Sequence, residues 1–188
     1  MHYRRSIRLK EYDYSQNGMY FFTICVQAKK CLFGDILDEE MILNDAGKMI
    51  DKEWKELPNR FKNIEFDEYL IMPNHFHGII VIDDSVDGQA QGTAPTVDCF
   101  DGPENVGVPL VGTHALTLGN IIGAFKSITT NSYIKGVRNN NWQPFIRKLW
   151  QRNYFEHIIR NEKSLDNIRG YIVNNPRNRH KDEMFIQL

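Results

Sequence analysis

The chain has 188 residues, of which 41% are hydrophobic and 12% aromatic, and its formal net charge is −1. This size and composition are typical of one globular domain with a buried core, and they exclude a disordered or fibrous protein. No apolar run of about 18 residues is present, so the sequence predicts no membrane-spanning helix. The N-terminus lacks the apolar segment of a signal peptide, and the three cysteines have no metal-binding spacing. We therefore expect a cytoplasmic protein.

The charge is distributed unevenly along the chain. Residues 83–113 contain six acidic residues, five Gly and three Pro but no Lys or Arg, whereas residues 114–188 contain twelve Lys or Arg against five Asp or Glu. We interpret residues 83–113 as a flexible acidic insertion in a single domain that spans residues 1–188. The basic C-terminal half could accept a polyanion such as a nucleic acid, although charged segments are more often simply solvated surface.

The pattern of apolar residues predicts helices and strands in the order β-α-β-β-α-β-α. The predicted elements are a strand at 19–27, a helix capped by Asn44 or Asp45 and ending near 57, strands at 65–72 and 76–82, a helix from 118 to about 133, a strand at 148–158, and a helix from 165 to about 175 capped by Ser164. This order is typical of the α+β ferredoxin-like, or RRM-like, plait (βαββαβ). We expect an antiparallel sheet with helices on one face and one further, C-terminal helix.

Two histidines stand at the start of the second central strand. His75 and His77 are two apart and are followed at once by Gly-Ile-Ile-Val-Ile, an apolar run that favours a buried strand. Residues i and i+2 of a strand point to the same face, so both imidazoles project together while Phe76 points to the other side. Two neutral imidazoles on a rigid element are half of a divalent metal site. The alternative is a pair of ordinary strand histidines that only make hydrogen bonds.

The last predicted helix contains a second candidate pair. Tyr171 and Asn175 are i and i+4, hence neighbours on one helical face. Pro176 disfavours helical geometry at Asn175, so the helix should end or kink there. A helical tyrosine is more often a core residue than a nucleophile, and Asn is common at the end of a helix.

Several segments carry a resemblance to a known family. They are residues 4–8, 72–78, 125–127, 150–154 and 171–176, which together extend over nearly the whole chain apart from 83–113 and the tail. On these segments the chain resembles the single-tyrosine HUH transposases (Y1 transposases), and among them the REP-associated tyrosine transposases. The resemblance implies a transposase that cleaves and rejoins single-stranded DNA at hairpin-associated sites through a 5′-phosphotyrosine intermediate.

The resemblance also implies a role for each candidate residue. His75 and His77 would bind Mg²⁺ or Mn²⁺, and Asn175 would supply the third protein ligand through its side-chain oxygen. Many relatives have Gln at the position of Asn175, and both residues offer an amide oxygen. Tyr171 would be the nucleophile, with Tyr154 as its rival.

The expected partner is single-stranded or hairpin DNA, bound by a monomer or a homodimer associated with the nucleoid. Candidate phosphate contacts are the basic residues Arg4, Arg5, Arg8, Lys126, Arg147, Lys148 and Arg152. Three other functions share much of this pattern: a domesticated hairpin-binding protein that no longer cleaves, a replication-initiator or relaxase-type nickase, and a non-catalytic plait that binds nucleic acid on its sheet.

Overall fold

The computed structural model describes residues 16–83 and 116–178, which form a four-stranded antiparallel sheet, a small hairpin and helices. In chain order the elements are β1 (Gly18–Cys25), a 3-10 turn (Gln27–Lys29), β2 (Gly34–Leu37), β3 (Glu40–Leu43), α1 (Asp45–Lys55), α2 (Leu57–Arg60), β4 (Ile64–Met72), β5 (His75–Ile82), α3 (Leu118–Asn140), β6 (Phe155–Ile159) and α4 (Glu162–Asn174).

The strand order of the main sheet is β4-β5-β1-β6. Strand β5 therefore lies between β1 and β4, the two strands that α1 connects, and this arrangement is the split βαβ unit of the ferredoxin-like plait. All three strand pairs are antiparallel. The α+β plait with a C-terminal helix, as predicted from the sequence, is confirmed.

Alternating side chains divide the sheet into two faces. On one face, α1 and α3 enclose the larger core, in which Phe22 and Phe76 of the sheet meet Trp54 of α1 and Phe125 of α3. On the other face, α4 covers a smaller apolar cluster of Phe21, Ile79, Ile159, Leu165 and Ile172. The expectation that helices lie on one face thus holds for α1 and α3, and the tyrosine-bearing helix lies on the opposite face.

The ends of three helices can be compared with the sequence prediction: the cap of α1 agrees with it, while the start of α4 and the end of α3 differ from it. Of the two predicted caps of α1, Asn44 is the N-cap, because its side chain accepts a hydrogen bond from the Gly47 amide at 2.9 Å. The Ser164 cap is wrong: α4 starts earlier, since Asn161 is the N-cap and accepts a hydrogen bond from the Ser164 amide at 2.9 Å. Helix α3 extends to Asn140 and stops at Asn141, whose left-handed φ of 57° ends it.

The strand expected at 148–158 is shorter than predicted. Only Phe155–Ile159 pairs regularly with β1, while Trp150 makes an isolated bridge with Val26 beyond the end of that strand. The hairpin of β2 and β3 was not predicted. Its turn residues Asp38 and Glu39 both have positive φ, but Asp-Glu lacks the glycine that usually signals such a turn.

Some predictions lie outside the described residues. These are the basic arm with Arg4, Arg5 and Arg8, and the proposed insertion 83–113 apart from Asp83. Within residues 16–83 and 116–178, no helix is long and apolar enough to cross a membrane.

Candidate active site

The two histidines lie together on the α4 face of the sheet. His75 and His77 are both buried at the start of β5, and their Nε2 atoms are only 2.9 Å apart. Octahedral Mg²⁺ binds its ligands at about 2.1 Å, so two adjacent ligands are about 3 Å from each other. The separation of the two imidazoles therefore suits a divalent cation held between them.

Asn74 determines which nitrogen of His75 faces its neighbour. The Asn74 amide nitrogen donates to the carbonyl of Lys29 at 3.2 Å, so the Asn74 Oδ1 faces His75 Nδ1 at 2.7 Å. Since an amide oxygen can only accept, Nδ1 of His75 carries the proton and donates it. The Nε2 atom of neutral His75 then presents a lone pair, as a metal ligand requires.

Thr23 has the same position beside His77. Its hydroxyl lies 2.7 Å from His77 Nδ1 and can either accept or donate a hydrogen bond. When it accepts, both Nε2 atoms present lone pairs to one point, and a bound cation would relieve their repulsion. When it donates, His77 Nε2 carries the proton and donates to His75. Thr23 thus permits both a metal-free and a metal-binding pair.

Asn175 presents a buried oxygen that lacks a hydrogen bond. The residue is 2% exposed, and its Oδ1 has no hydrogen-bond partner among the described residues. Buried polar atoms are almost always paired, so such an atom suggests a missing ligand. Within residues 16–83 and 116–178, no three His, Cys, Asp or Glu side chains could hold a metal ion together. A third protein ligand would therefore be of another type, such as this amide oxygen.

Helix α4 brings Tyr171 to the histidines of the same chain. The centres of the Tyr171 and His77 rings are 5.2 Å apart, and the centres of the Tyr171 and Phe21 rings, which meet edge to face, are 6.1 Å apart. Tyr171 is 45% exposed, which leaves it open to a substrate. Asn175 keeps helical dihedrals (φ −59°, ψ −41°) despite the following Pro176. Tyr171 and Asn175 are therefore one helical turn apart, as predicted.

An ion pair attaches α4 to the sheet. Arg169 Nε and Nη2 donate to the two carboxylate oxygens of Asp67 on β4, at 2.8 and 2.5 Å. These hydrogen bonds from Arg169 lower the pKa of Asp67 below its usual value, against the opposing effect of burial. Because Arg169 precedes Tyr171 by half a turn, the pair restrains the part of α4 that carries the tyrosine.

The rival tyrosine lies elsewhere. Tyr154 packs against the core on the α1/α3 face, where its ring centre is 5.4 Å from Lys126 Nζ. Tyr171, in contrast, belongs to the face that carries both histidines.

The predicted phosphate contacts that lie within the described residues fall into two groups. Lys126 donates to the backbone carbonyls of Gln151, Arg152 and Asn153 at 3.0, 3.4 and 3.2 Å, and burial lowers its pKa to about 8. An ammonium has three protons, so the three protons of Lys126 are directed at the backbone before β6.

Arg147, Lys148 and Arg152 are exposed. Backbone hydrogen bonds from Gln27 to Leu149 and from Gln151 to Cys25 place their segment beside the end of β1 that adjoins His75.

Sequence reasoning missed the residues that orient the site. Thr23 is the one aliphatic hydroxyl side chain in the apolar run of β1, and Asn74 directly precedes His75, so both left a weak local signal. Asp67 and Arg169 left none, because they are 102 residues apart in sequence.

Two comparisons place this structure among known proteins. The chain is 41% identical over 186 residues to an uncharacterized protein of Haemophilus influenzae, and the alignment covers 99% of this chain and 95% of that protein. Its fold matches the structure of a REP-associated tyrosine transposase bound to a REP hairpin, with a TM-score of 0.55, 17% identity, and coverage of 91% of this chain and 74% of that chain. No protein-family model matches the chain.

Proposed function

We propose that this chain, which belongs to one family with the Haemophilus influenzae protein and has the fold of a REP-associated tyrosine transposase, is itself a transposase. It would cleave and rejoin single-stranded DNA through a covalent tyrosine intermediate. The observation that carries the proposal is the position of Tyr171, whose ring contacts one of two histidines with converging Nε2 atoms.

The proposed reaction exchanges one phosphodiester for another. The Tyr171 oxygen attacks the scissile phosphorus, and the bond from phosphorus to the 3′-oxygen of the neighbouring nucleotide breaks. The products are a 5′-phosphotyrosine and a free 3′-OH. Attack by a 3′-OH on the phosphotyrosine reverses the step and rejoins DNA without ATP. Tyrosine phenols are protonated at neutral pH, and the exposed ring allows the proton to leave to solvent.

His75, His77 and Asn175 would hold Mg²⁺ or Mn²⁺ through two imidazole nitrogens and one amide oxygen. When bound, the ion would polarise the scissile phosphate and offset the charge that develops on it. Asn74 and Thr23 orient the two imidazoles, and the Asp67–Arg169 pair restrains α4. The chain itself therefore contributes a nucleophile, three candidate ligands and the contacts that orient them.

The proposed substrate is single-stranded DNA next to a hairpin. Support comes from the solved transposase of the same fold, which was captured with a REP hairpin. In this chain, Arg147, Lys148 and Arg152 are exposed in the segment that adjoins the histidine end of β1. Cations at that position would neutralise phosphates that approach the site.

A cleavage assay tests the proposal. Labelled hairpin DNA with single-stranded flanks, taken from beside the gene, is incubated with the protein and Mn²⁺ or Mg²⁺, and covalent adducts are resolved on a denaturing gel. We expect a metal-dependent adduct with the wild type and none with Tyr171→Phe or His75→Ala. Tyr154→Phe is the matched control, because it also removes a tyrosine hydroxyl, but one on the α1/α3 face of the sheet. This variant should still form the adduct.

Each contrary outcome has a definite meaning. An adduct that persists in Tyr171→Phe but disappears in Tyr154→Phe would place the nucleophile at Tyr154 and refute the mechanism. Tight hairpin binding without any adduct would instead favour a DNA-binding protein that no longer cleaves. Cleavage without rejoining, when an acceptor strand with a free 3′-OH is supplied, would favour a nickase.

A further inference from the structure

Phe155 is a large apolar side chain that the fold leaves in solvent. It begins the edge strand β6 and is 45% exposed. Its ring meets Phe21 edge to face, with 6.1 Å between the ring centres. Much of the ring surface remains open to solvent beside this contact.

The register of the sheet puts Phe155 in line with the candidate metal site. Thr23 on β1 pairs with His77 on one side and with Phe155 on the other. Directly opposed residues point to the same face, so the three side chains form one row on the α4 face. Strands are about 4.8 Å apart, which puts the Cα atoms of His77 and Phe155 about 10 Å from each other.

Tyr171 is close to the same ring. Phe21 contacts Tyr171 and Phe155 edge-on, and in both cases the ring centres are 6.1 Å apart. The exposed aromatic ring thus lies one side chain away from the proposed nucleophile. A nucleotide bonded to a phosphate at Tyr171 can therefore extend past Phe21 and place its base on Phe155.

The backbone that leads to Phe155 is restrained. The three carbonyls that precede Tyr154 accept hydrogen bonds from Lys126, and Tyr154 itself packs into the core. Phe155 therefore starts from a defined position, which reduces the ordering cost of binding a ligand. Exposed Arg152 lies three residues earlier and supplies a positive charge for the DNA backbone.

We propose that Phe155 is a stacking platform for an unpaired base next to the scissile phosphate. The inference rests on the proposed function and extends it, because it assigns a binding site for one nucleobase of the DNA substrate. Flat exposed aromatic rings on a sheet bind bases of single-stranded nucleic acids in this way. Trp150 cannot take this role, since it is 4% exposed and its indole nitrogen donates to Thr129.

A double-substitution experiment tests the inference. Binding of hairpin DNA is measured in the Tyr171→Phe background with a series of oligonucleotides, each carrying one abasic site near the cleavage position. We expect Phe155→Ala to weaken binding of intact DNA about tenfold, within the range for loss of one stacked base. At one position, removal of the base should weaken binding by the Tyr171→Phe parent by a similar factor. The same abasic oligonucleotide should bind the Phe155→Ala variant no more weakly than intact DNA does. A purely structural role for Phe155 would not produce this coupling.

Matched variants separate stacking from general apolarity. Phe155→Trp should preserve binding and the coupling, while Phe155→Leu should lose both although it stays apolar. Ile42→Ala removes another half-exposed side chain, on β3 and outside the main sheet, and should leave DNA binding unchanged.

The two proposals fail in different ways. If the wild type forms the Tyr171 adduct but Phe155→Ala binds every oligonucleotide like its parent, the stacking inference is wrong and the transposase proposal stands. If the wild type neither binds hairpin DNA nor forms an adduct, the transposase proposal is refuted, and the stacking inference with it.

Discussion

The two faces of the central sheet have the same strands but different content. The α1/α3 face is built from large buried aromatics, and buried Trp54 stacks on partly buried Phe66 at a ring-centre distance of 3.9 Å. The α4 face has a small apolar cluster beside two buried histidines and a buried asparagine. Since side chains alternate along a strand, one set of strands supplies both faces without changing its backbone.

This division separates the main source of stability from the proposed chemistry. The aromatic face buries the most apolar surface, and burial of apolar surface is the main source of folding free energy. The α4 face can hold buried polar groups because the other face supplies the core. Helix α4 buries only Leu165 and Ile172 among its own residues, so the Asp67–Arg169 pair matters for its position.

We expect the largest effect on stability from substitution of one of two neighbouring isoleucines of β5. Ile79 and Ile80 are both fully buried, but Ile79 belongs to the α4 face and Ile80 to the α1/α3 face. We expect Ile80→Ala to lower the free energy of unfolding by about 4 kcal/mol and Ile79→Ala by about 2 kcal/mol. The cavity under α4 can partly collapse, whereas the aromatic core cannot. Urea denaturation measures both variants, and equal losses would show that the faces contribute alike.

A smaller effect is expected from metal binding on the α4 face. At a Mn²⁺ concentration of 100 times its Kd, the free energy of unfolding of the wild type should rise by about 2.7 kcal/mol. His77→Ala should lose this stabilisation. His157→Ala is the control, because His157 is an exposed histidine on β6 and should leave the effect intact. Thermal unfolding of each protein with Mn²⁺ and with a chelator measures this stabilisation. A wild-type unfolding curve that is the same in both conditions would exclude a metal site at the histidine pair.

The smallest effect concerns the attachment of α4. Arg169→Met should lower the free energy of unfolding at pH 7 by less than either effect above, since the ion pair is partly exposed and screened by solvent. Arg169 lowers the pKa of Asp67, so the pair stabilises the fold above the ordinary carboxyl pKa of about 4. This contribution is lost as the pH falls through the lowered pKa of folded Asp67, so the difference between wild type and variant should then disappear.

Lys55→Met is the matched control for that titration. Lys55 pairs with Asp51 on α1, on the opposite side of the sheet, and the substitution removes a cation in the same way. It should leave the contribution of the Asp67–Arg169 pair to the pH profile unchanged. A wild-type versus Arg169→Met difference that persists well below pH 4 would mean that packing, and not charge, accounts for the role of Arg169.

Local pattern was sufficient for much of the fold. The apolar runs of β1 and β5 and the helical spacing of α1 predicted elements close to those observed, because each follows from the period of its own structure. The hairpin of β2 and β3 and the start of α4 were missed. Their limits depend on the positive φ of Asp38 and Glu39 and on the Asn161 cap, which apolar periodicity does not report.

The site divides in the same way. By itself, the sequence determined that His75 and His77 share a face and that Tyr171 and Asn175 are one turn apart, because strand and helix geometry fix such short separations. Only the tertiary structure decided that α4 lies on the histidine face, and only there do Tyr171 and His77 come into ring contact. His77 and Tyr171 are nearly a hundred positions apart and meet only through tertiary packing, which no local period of the sequence encodes.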